Sequence, residues 1–337
     1  MGEKLEFDNK NILITGGTGS FGSKCVEWLL SKYKPKRLVI FSRDELKQYE
    51  MAQVYSEKTY PSLRYFLGDV RDGERVKRAC ANIDIIIHAA AMKHVTASEY
   101  NPTECIETNI HGAKNIIDAS IENNVKKVIA LSTDKAASPI NLYGATKLCS
   151  DKLFIAANNL SGKHKTRFSV VRYGNVINSR GSVIPHFKKL LKSGEKKLPL
   201  TDINMTRFVI TLDQGVEFVL KTFTNMSGGE IFVPKIPSMN IIDLVTCMAG
   251  KGQFKEVGIR PGEKLHEVMI PKEESINCID MDDYYIIQPM FSWWNTEQLK
   301  LTIGNNGKKV AKSFEYSSDS NTNFLTLDDI KKILGQK

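Results

Sequence analysis

Cysteine is sparse in this chain and follows no pattern. Its six cysteines, Cys25, Cys80, Cys105, Cys149, Cys247 and Cys278, lie far apart, and no C-x-x-C pair occurs. That spacing fits reduced thiols of a cytoplasmic protein and offers neither a disulfide frame nor a zinc site. The six histidines show no H-E-x-x-H and no clustered spacing, so no protein-held metal is expected. No apolar run approaches the ~20 residues that cross a bilayer, so no membrane association is expected. The stretch from Met1 to Lys10 is charged, with no apolar segment, which argues against a secretory leader. No internal repeat of about 20–50 residues is visible.

Charge of one sign is in excess but never massed. Forty-seven Lys and Arg against 38 Asp and Glu leave a net charge of +9. Basic pairs such as Lys126-Lys127, Lys188-Lys189 and Lys331-Lys332 are scattered along the chain. A nucleic-acid surface needs a concentrated basic patch, preferably with interleaved aromatics, so no nucleic-acid partner is expected. A diffuse positive field suits small anionic ligands such as diphosphates. Apolar residues fill 42% of 337 positions, enough to bury a substantial core.

What is abundant is periodicity. Short β-branched runs predict strands at Asn11–Thr15, Arg37–Ser42, Arg64–Leu67, Asp84–Ala89, Lys127–Ser132 and Phe168–Tyr173. Helical spacing separates them at Phe21–Ser31, Glu45–Ser56, Arg71–Ala81, Glu104–Asn123 and Tyr143–Asn159. This alternation predicts an α/β fold, a Rossmann-like parallel sheet with helices on both faces. Unbroken runs such as Ile85-Ile86-Ile87 fit strands covered on both sides. Beyond Gly181, prolines at 185, 199, 234, 237, 261, 271 and 289 punctuate shorter elements. The expectation is a dinucleotide-binding domain over residues 1–180 and a smaller, mixed substrate-binding lobe over 181–337, with some segments returning to the first domain. Glu315–Thr322, rich in Ser, Asn and Asp, reads as a surface loop, and Leu327–Leu334 as a short helix.

The first strand runs into Thr15-Gly16-Gly17-Thr18-Gly19-Ser20-Phe21-Gly22. Gly16, Gly19 and Gly22 form G-x-x-G-x-x-G, a relative of the dinucleotide fingerprint, in which glycines bring backbone amides against a pyrophosphate at a helix N-terminus. About 20 residues on, an NAD site usually places an acidic side chain at the second strand's end to accept from the ribose 2′-hydroxyl. Here Ser42 stands there and Arg43 follows. Arg43, with Lys47 nearby, favours the 2′-phosphate of NADP, although Arg43 also reads as a solvated residue and Asp44 as a helix cap. Asp69-Val70 after the third strand is placed to meet an adenine. Ala89-Ala90-Ala91 after the fourth supplies small side chains for a close cofactor approach, and would serve packing equally well.

Tyr143 and Lys147 form the chain's one Y-x-x-x-K. A spacing of four puts phenol and ammonium on one helix face. The ammonium would lower the phenol from its ordinary pKa of ~10, fitting it to take a hydroxyl proton. The pair follows the fifth strand, and sites in such sheets gather at the carboxyl ends of strands. Immediately upstream, Thr133-Asp134-Lys135 ends that strand. These residues read equally well as acid–base machinery or as an exposed turn ion pair.

The glycine turn, Ser132-Thr133 and Tyr143/Lys147 together resemble the extended short-chain dehydrogenase/reductase superfamily. Longer strings narrow the resemblance: Ser42–Lys47, His88–Val95, Leu131–Lys152, Arg172–Val176, Ile231–Lys235 and Gly258–Lys264. Over nearly the whole chain they are similar to the inverting UDP-N-acetylglucosamine 4,6-dehydratases of the pseudaminic acid type. That resemblance implies tightly held, recycled NADP, UDP-N-acetylglucosamine as substrate and a homo-oligomer. It implies that Tyr143 takes the C4 hydroxyl proton, Lys135 the C5 proton, and that Asp134 protonates the departing C6 hydroxyl. Related dTDP-glucose dehydratases carry an Asp-Glu pair where this chain has Asp134-Lys135, and a lysine on another side of the sugar would explain inversion at C5. A lysine serves as base only well below its ordinary ~10.4, and an adjacent aspartate raises it.

A UDP-sugar also needs phosphate and hydroxyl partners. Arg207 and Arg260 are candidates for the diphosphate, since the guanidinium fork matches phosphate. Lys93 and Asn175 are candidates for the sugar or diphosphate, and Glu263 for a ribose hydroxyl. Val183 and Thr201 complete the expected substrate set, and Asn109 is expected either beside the nicotinamide ribose or in packing. Two other readings stand beside the dehydratase: a UDP-sugar epimerase on the same fold, and a non-enzymatic NADP-sensing regulator. Asp134-Lys135 disfavours the first, because a C4 epimerase expels no C6 hydroxyl, and the retained Tyr143 and Lys147 disfavour the second.

Overall fold

A computed structural model describes residues 6–290 and 307–335. The first half runs β1 (Asn11–Thr15), α1 (Ser20–Lys32), β2 (Arg37–Ser42), α2 (Glu45–Val54), β3 (Leu63–Leu67), α3 (Gly73–Ala79), β4 (Ile85–His88), α4 (Val95–Tyr100), α5 (Pro102–Ile106), α6 (Gly112–Glu122), β5 (Lys127–Thr133), α7 (Leu142–Leu160) and β6 (Arg167–Tyr173). The strands form where apolar runs bury on both faces: Ile12, Leu13 and Ile14 of β1 and Val128, Ile129 and Ala130 of β5 are all fully buried. Side chains start the helices where the sequence provides a cap. Asp44 accepts from the Lys47 amide, Asp72 from Arg75, and Asn141 from Gly144, each offsetting an amide that the first turn leaves unpaired.

The second half adds β7 (Asn175–Val176), α8 (Val183–Lys192), β8 (Leu198–Leu200), β9 (Thr206–Ile210), α9 (Leu212–Asn225), β10 (Ile231–Pro234), β11 (Ser238–Asn240), α10 (Ile241–Ala249), β12 (Phe254–Glu256), β13 (Val268–Ile270), α11 (Lys272–Ser275), β14 (Cys278–Asp280), β15 (Tyr284–Ile287), β16 (Lys308–Lys309) and β17 (Tyr316–Ser317). The helix Leu327–Leu334 closes it, opened by a Thr326–Asp329 capping box. The main sheet runs β3-β2-β1-β4-β5-β6-β10-β15-β14-β16. It is parallel from β3 to β10 and antiparallel thereafter. Strand order therefore reverses between β1 and β4, the crevice where such folds take ligands. One apolar cluster surrounds this sheet, and a second joins α8, β8, α10 and Ile330. No helix among the described residues is long and apolar enough to cross a membrane.

Two expectations need correction. The continuous helix over Glu104–Asn123 is broken: α5 ends at Ile106, Glu107–His111 forms a π-turn, and α6 begins at Gly112. The wider turn lets Asn109 reach sideways to the backbone of Met92 and to Thr146. Nor is Glu315–Thr322 simply a surface loop. Tyr316 and Ser317 pair with β13, and the Tyr316 hydroxyl bonds both the amide and the carbonyl of Ile236.

Candidate active site

A cavity of about 830 Å³ opens at the carboxyl ends of the parallel strands. The turn after β1 forms its floor, and all of Gly16, Thr18, Gly19, Ser20, Phe21 and Gly22 face it. Gly16 sits at φ +64, and a Cβ there would fall 2.9 Å from the backbone of Ala89 and Ala90. The turn after β4 is thus pressed directly against the turn after β1. Helix α1 begins at Ser20, after Gly19 at its N-cap, with no side-chain cap and no acidic residue in its first turn, leaving amides and a positive dipole end open to an anion. These residues fit a dinucleotide pyrophosphate.

At the end of β2, Thr18 donates to Ser42 Oγ at 3.1 Å, and no carboxylate takes the ribose-binding place. Asp44 is committed elsewhere, as the α2 cap and as partner to Lys47 Nζ at 2.6 Å. Arg43 borders the cavity, paired loosely with Asp69 at 3.5 Å. Asp69 and Val70 also line it. Burial favours the neutral acid at Asp69, yet the hydrogen bonds from Arg71 prevail and hold its pKa below the ordinary value.

Thr133, Asp134, Lys135, Tyr143 and Lys147 line the same cavity. Thr133 Oγ1 donates to Asp134 Oδ1 at 2.9 Å, and Lys135 Nζ lies 2.9 Å from the same oxygen. A second carboxylate, Glu267 Oε1, stands 3.0 Å from Lys135 Nζ. Burial works against the Lys135 ammonium, but Asp134 and Glu267 outweigh it, so its pKa is raised and the resting amine is protonated. Burial pushes the Tyr143 phenol up to about 12, opposed first by the Lys135 charge and then by a hydrogen bond with Thr133. Lys135 is thus the first cation acting on Tyr143. Burial lowers the pKa of Lys147, opposed by Asp151 one turn further along α7.

Lys93 and Asn175 line the same cavity, as do Ala89, Ala90 and Ala91. Asn175 Oδ1 is buried with no hydrogen-bond partner among the described residues. Six expected residues fall outside the lining: Asn109, Val183, Thr201, Arg207, Arg260 and Glu263. Asn109 braces Met92 rather than facing the cavity. Arg207 donates to the carbonyls of Thr206, Leu265 and Lys264 and pairs with Glu263 at 3.4 Å, so its fork is occupied by protein. Arg260 is exposed, and Val183 begins α8 just beyond the lining residue Ser182. Thr201 follows β8 and is half-buried. Sequence reasoning missed Glu267, Tyr173, His94 and Arg180. The string Arg172–Val176 carries the signal for Tyr173, but nothing local marks Glu267. Among the described residues no group of His, Cys, Asp or Glu is placed to hold a metal.

Known proteins are similar to this chain in sequence and fold. The family described as polysaccharide biosynthesis protein matches residues 12–289. A Campylobacter jejuni protein named UDP-N-acetylglucosamine 4,6-dehydratase (inverting) is 56% identical over 330 residues, covering 97% of this chain and 98% of its own. A Rickettsia canadensis protein named UDP-glucose 4-epimerase is 39% identical, covering 97% of this chain and 96% of its own. Among solved structures, Pen from Bacillus thuringiensis superposes with a TM-score of 0.86 at 37% identity, covering 97% of this chain and 98% of that one. The chain belongs to the polysaccharide biosynthesis protein family and, within it, to the group of the inverting UDP-N-acetylglucosamine 4,6-dehydratases.

Proposed function

We propose that this protein is a UDP-N-acetylglucosamine 4,6-dehydratase that inverts C5, a hydro-lyase using recycled NADP. The observation that carries the reading is the Thr133–Asp134–Lys135 cluster beside Tyr143, in the same cavity as the glycine turn. Bound NADP would supply the hydride acceptor for C4 and the hydride donor for C6. Ser42, Arg43 and Lys47 favour its 2′-phosphate, because no carboxylate at the end of β2 claims the ribose. Tyr143 takes the C4 hydroxyl proton, and a positive nicotinamide beside it would help to offset its burial. Lys147 holds ribose hydroxyls from the same helix face. Once C4 is a ketone, the C5 proton is acidic: Lys135 removes it and Asp134 protonates the leaving C6 hydroxyl. Residues 1–180 serve the cofactor, and most of the chain beyond 181 serves the sugar nucleotide.

The 39% identity to a protein named as an epimerase keeps that second reading in view. A C4 epimerase has no use for an acid at C6, so the two readings separate on product. Proton NMR in D2O of the protein with UDP-N-acetylglucosamine should show a 6-methyl signal, deuterium at C5 and L-type ring couplings. A galacto-configured product with an intact C6 hydroxymethyl would establish the epimerase instead. Tyr143→Phe should slow turnover about 10²–10⁴-fold, the range of general acid–base contributions.

A further inference from the structure

Glu267 lies behind the cavity wall, one residue before β13, in the segment that packs on the Asp134–Ala136 turn. Its side chain is 2% exposed, with Oε1 at 3.0 Å from Lys135 Nζ and Oε2 lacking a hydrogen-bond partner among the described residues. The segment is pinned: the Glu267 amide donates to Ser318 Oγ at 2.9 Å, and its carbonyl accepts from the Ser318 amide at 2.8 Å. The charged and titratable groups facing Lys135 are Asp134 on its own turn, Glu267, Arg207 of β9, Tyr143 of α7 and Lys264. Arg207 Nε stands 3.9 Å from Glu267 Oε1, and Lys264 Nζ donates to the Ala137 carbonyl at 2.7 Å.

An ammonium held between two carboxylates solves a problem of proton supply. Asp134 needs a proton to act as an acid, and Lys135 must lose one to act as a base. Transfer from Lys135 Nζ to Asp134 produces both neutral forms at once, without a proton from solvent. The second carboxylate then decides how the amine behaves: it accepts an N–H of the neutral amine, aims the lone pair at the cavity, and strengthens the base.

We propose that Glu267 is the positioning residue that makes Lys135 the C5 base, by holding its amine and leaving Asp134 free to receive its proton. The proposal rests on the dehydratase reading. The N–H bond of Lys135 breaks as the O–H bond of Asp134 forms. The C5–H bond of the 4-keto sugar then breaks, and its proton joins Lys135 Nζ. Its electron pair passes through the enolate to expel the C6 hydroxyl, which leaves as water with the Asp134 proton. Elimination thus restores the starting ammonium and carboxylate.

The test compares the wild-type chain with Glu267→Gln and Glu267→Asp. Competitive acetylation of Lys135, read by mass spectrometry across pH on the protein without substrate, reports its basicity without turnover. Removing the opposite charge should lower the Lys135 pKa by about one to three units in Glu267→Gln, and withdrawing it by one methylene should lower it less in Glu267→Asp. During turnover of UDP-N-acetylglucosamine, reduced cofactor should still form at the wild-type rate in Glu267→Gln. Deuterium entry at C5 should slow about tenfold or more. An unchanged Lys135 pKa overturns the proposal, as does equal slowing of cofactor reduction and C5 exchange. If Glu267→Gln does not fold, the Glu267→Asp labelling decides alone, and no shift there is fatal. Failure of the wild type to make a 6-deoxy product sinks the dehydratase reading instead, while labelling still reports the coupling of Glu267 to Lys135.

Discussion

Arg172 and Glu274 form a two-point ion pair, at 2.6 and 3.3 Å, that ties β6 to helix α11. The guanidinium is fully buried, donates also to the Met269 carbonyl at 2.9 Å, and stands 3.8 Å from Asp151. Arg172→Leu would leave Glu274 without its cation and Asp151 with Lys147 alone, and breaking a buried pair typically costs about 3–5 kcal/mol. The exposed pair of Lys77 and Glu122 is screened by solvent, so Lys77→Ala should leave stability nearly unchanged. Urea unfolding of both variants checks the contrast; equal losses would refute it.

His88 should make the fold acid-sensitive. Its ring is buried on β4, with Nδ1 at 2.8 Å from Thr15 Oγ1. Burial, aided by the Lys147 charge, holds its pKa down at about 3, below the ~6.5 of an unfolded chain. Because the folded value is the lower one, this contribution is complete above about pH 6.5 and is lost as pH falls toward the folded value. The slope is about 1.4 kcal/mol per pH unit. His88→Gln should flatten stability against pH between about 6 and 4 by that amount. Denaturant unfolding at stepped pH measures it, and an unaltered slope rules it out.

Gly144 lets α7 start directly against the turn that carries Lys135. A Cβ there would collide with the Lys135 carbonyl and press on Pro139. Gly144→Ala should therefore cost about 1–3 kcal/mol, as overpacking does. It should also lower turnover, because Tyr143 and Lys135 move apart. Thermal unfolding and steady-state rates check both; an unaffected enzyme would show that the turn yields freely.

Arg180 bridges the mouth of the glycine turn. Its amide donates to Ser20 Oγ at 3.0 Å, its guanidinium donates to the Thr18 carbonyl at 3.4 Å, and Lys93 donates to its carbonyl at 3.0 Å. Arg180→Ala should purify with less bound dinucleotide and weaken NADPH binding about tenfold, the loss of one charge-assisted contact. Fluorescence titration reads this directly, and undiminished affinity would remove Arg180 from the cofactor's surroundings.

The amino-acid sequence by itself determined what depends on near neighbours along the chain. The strand from Asn11 to Thr15 and the helix from Leu327 to Leu334 match expectation residue for residue, because hydrophobic runs, spacing and caps are local properties. The glycine turn and the Tyr143–Lys147 pair were legible for the same reason, each being set within one turn of chain. Tertiary structure decided which partner each charge meets. Arg207, a phosphate ligand by its chemistry, spends its donors on protein carbonyls. Asn109 breaks an otherwise plausible helix to hold Met92, and Tyr316 and Ser317 bury themselves in a strand despite polar neighbours. The state of Lys135 was the least legible. Asp134 sits beside it in sequence, but Glu267 arrives from the other half of the chain, and Coulomb interactions follow distance in space, not separation in sequence.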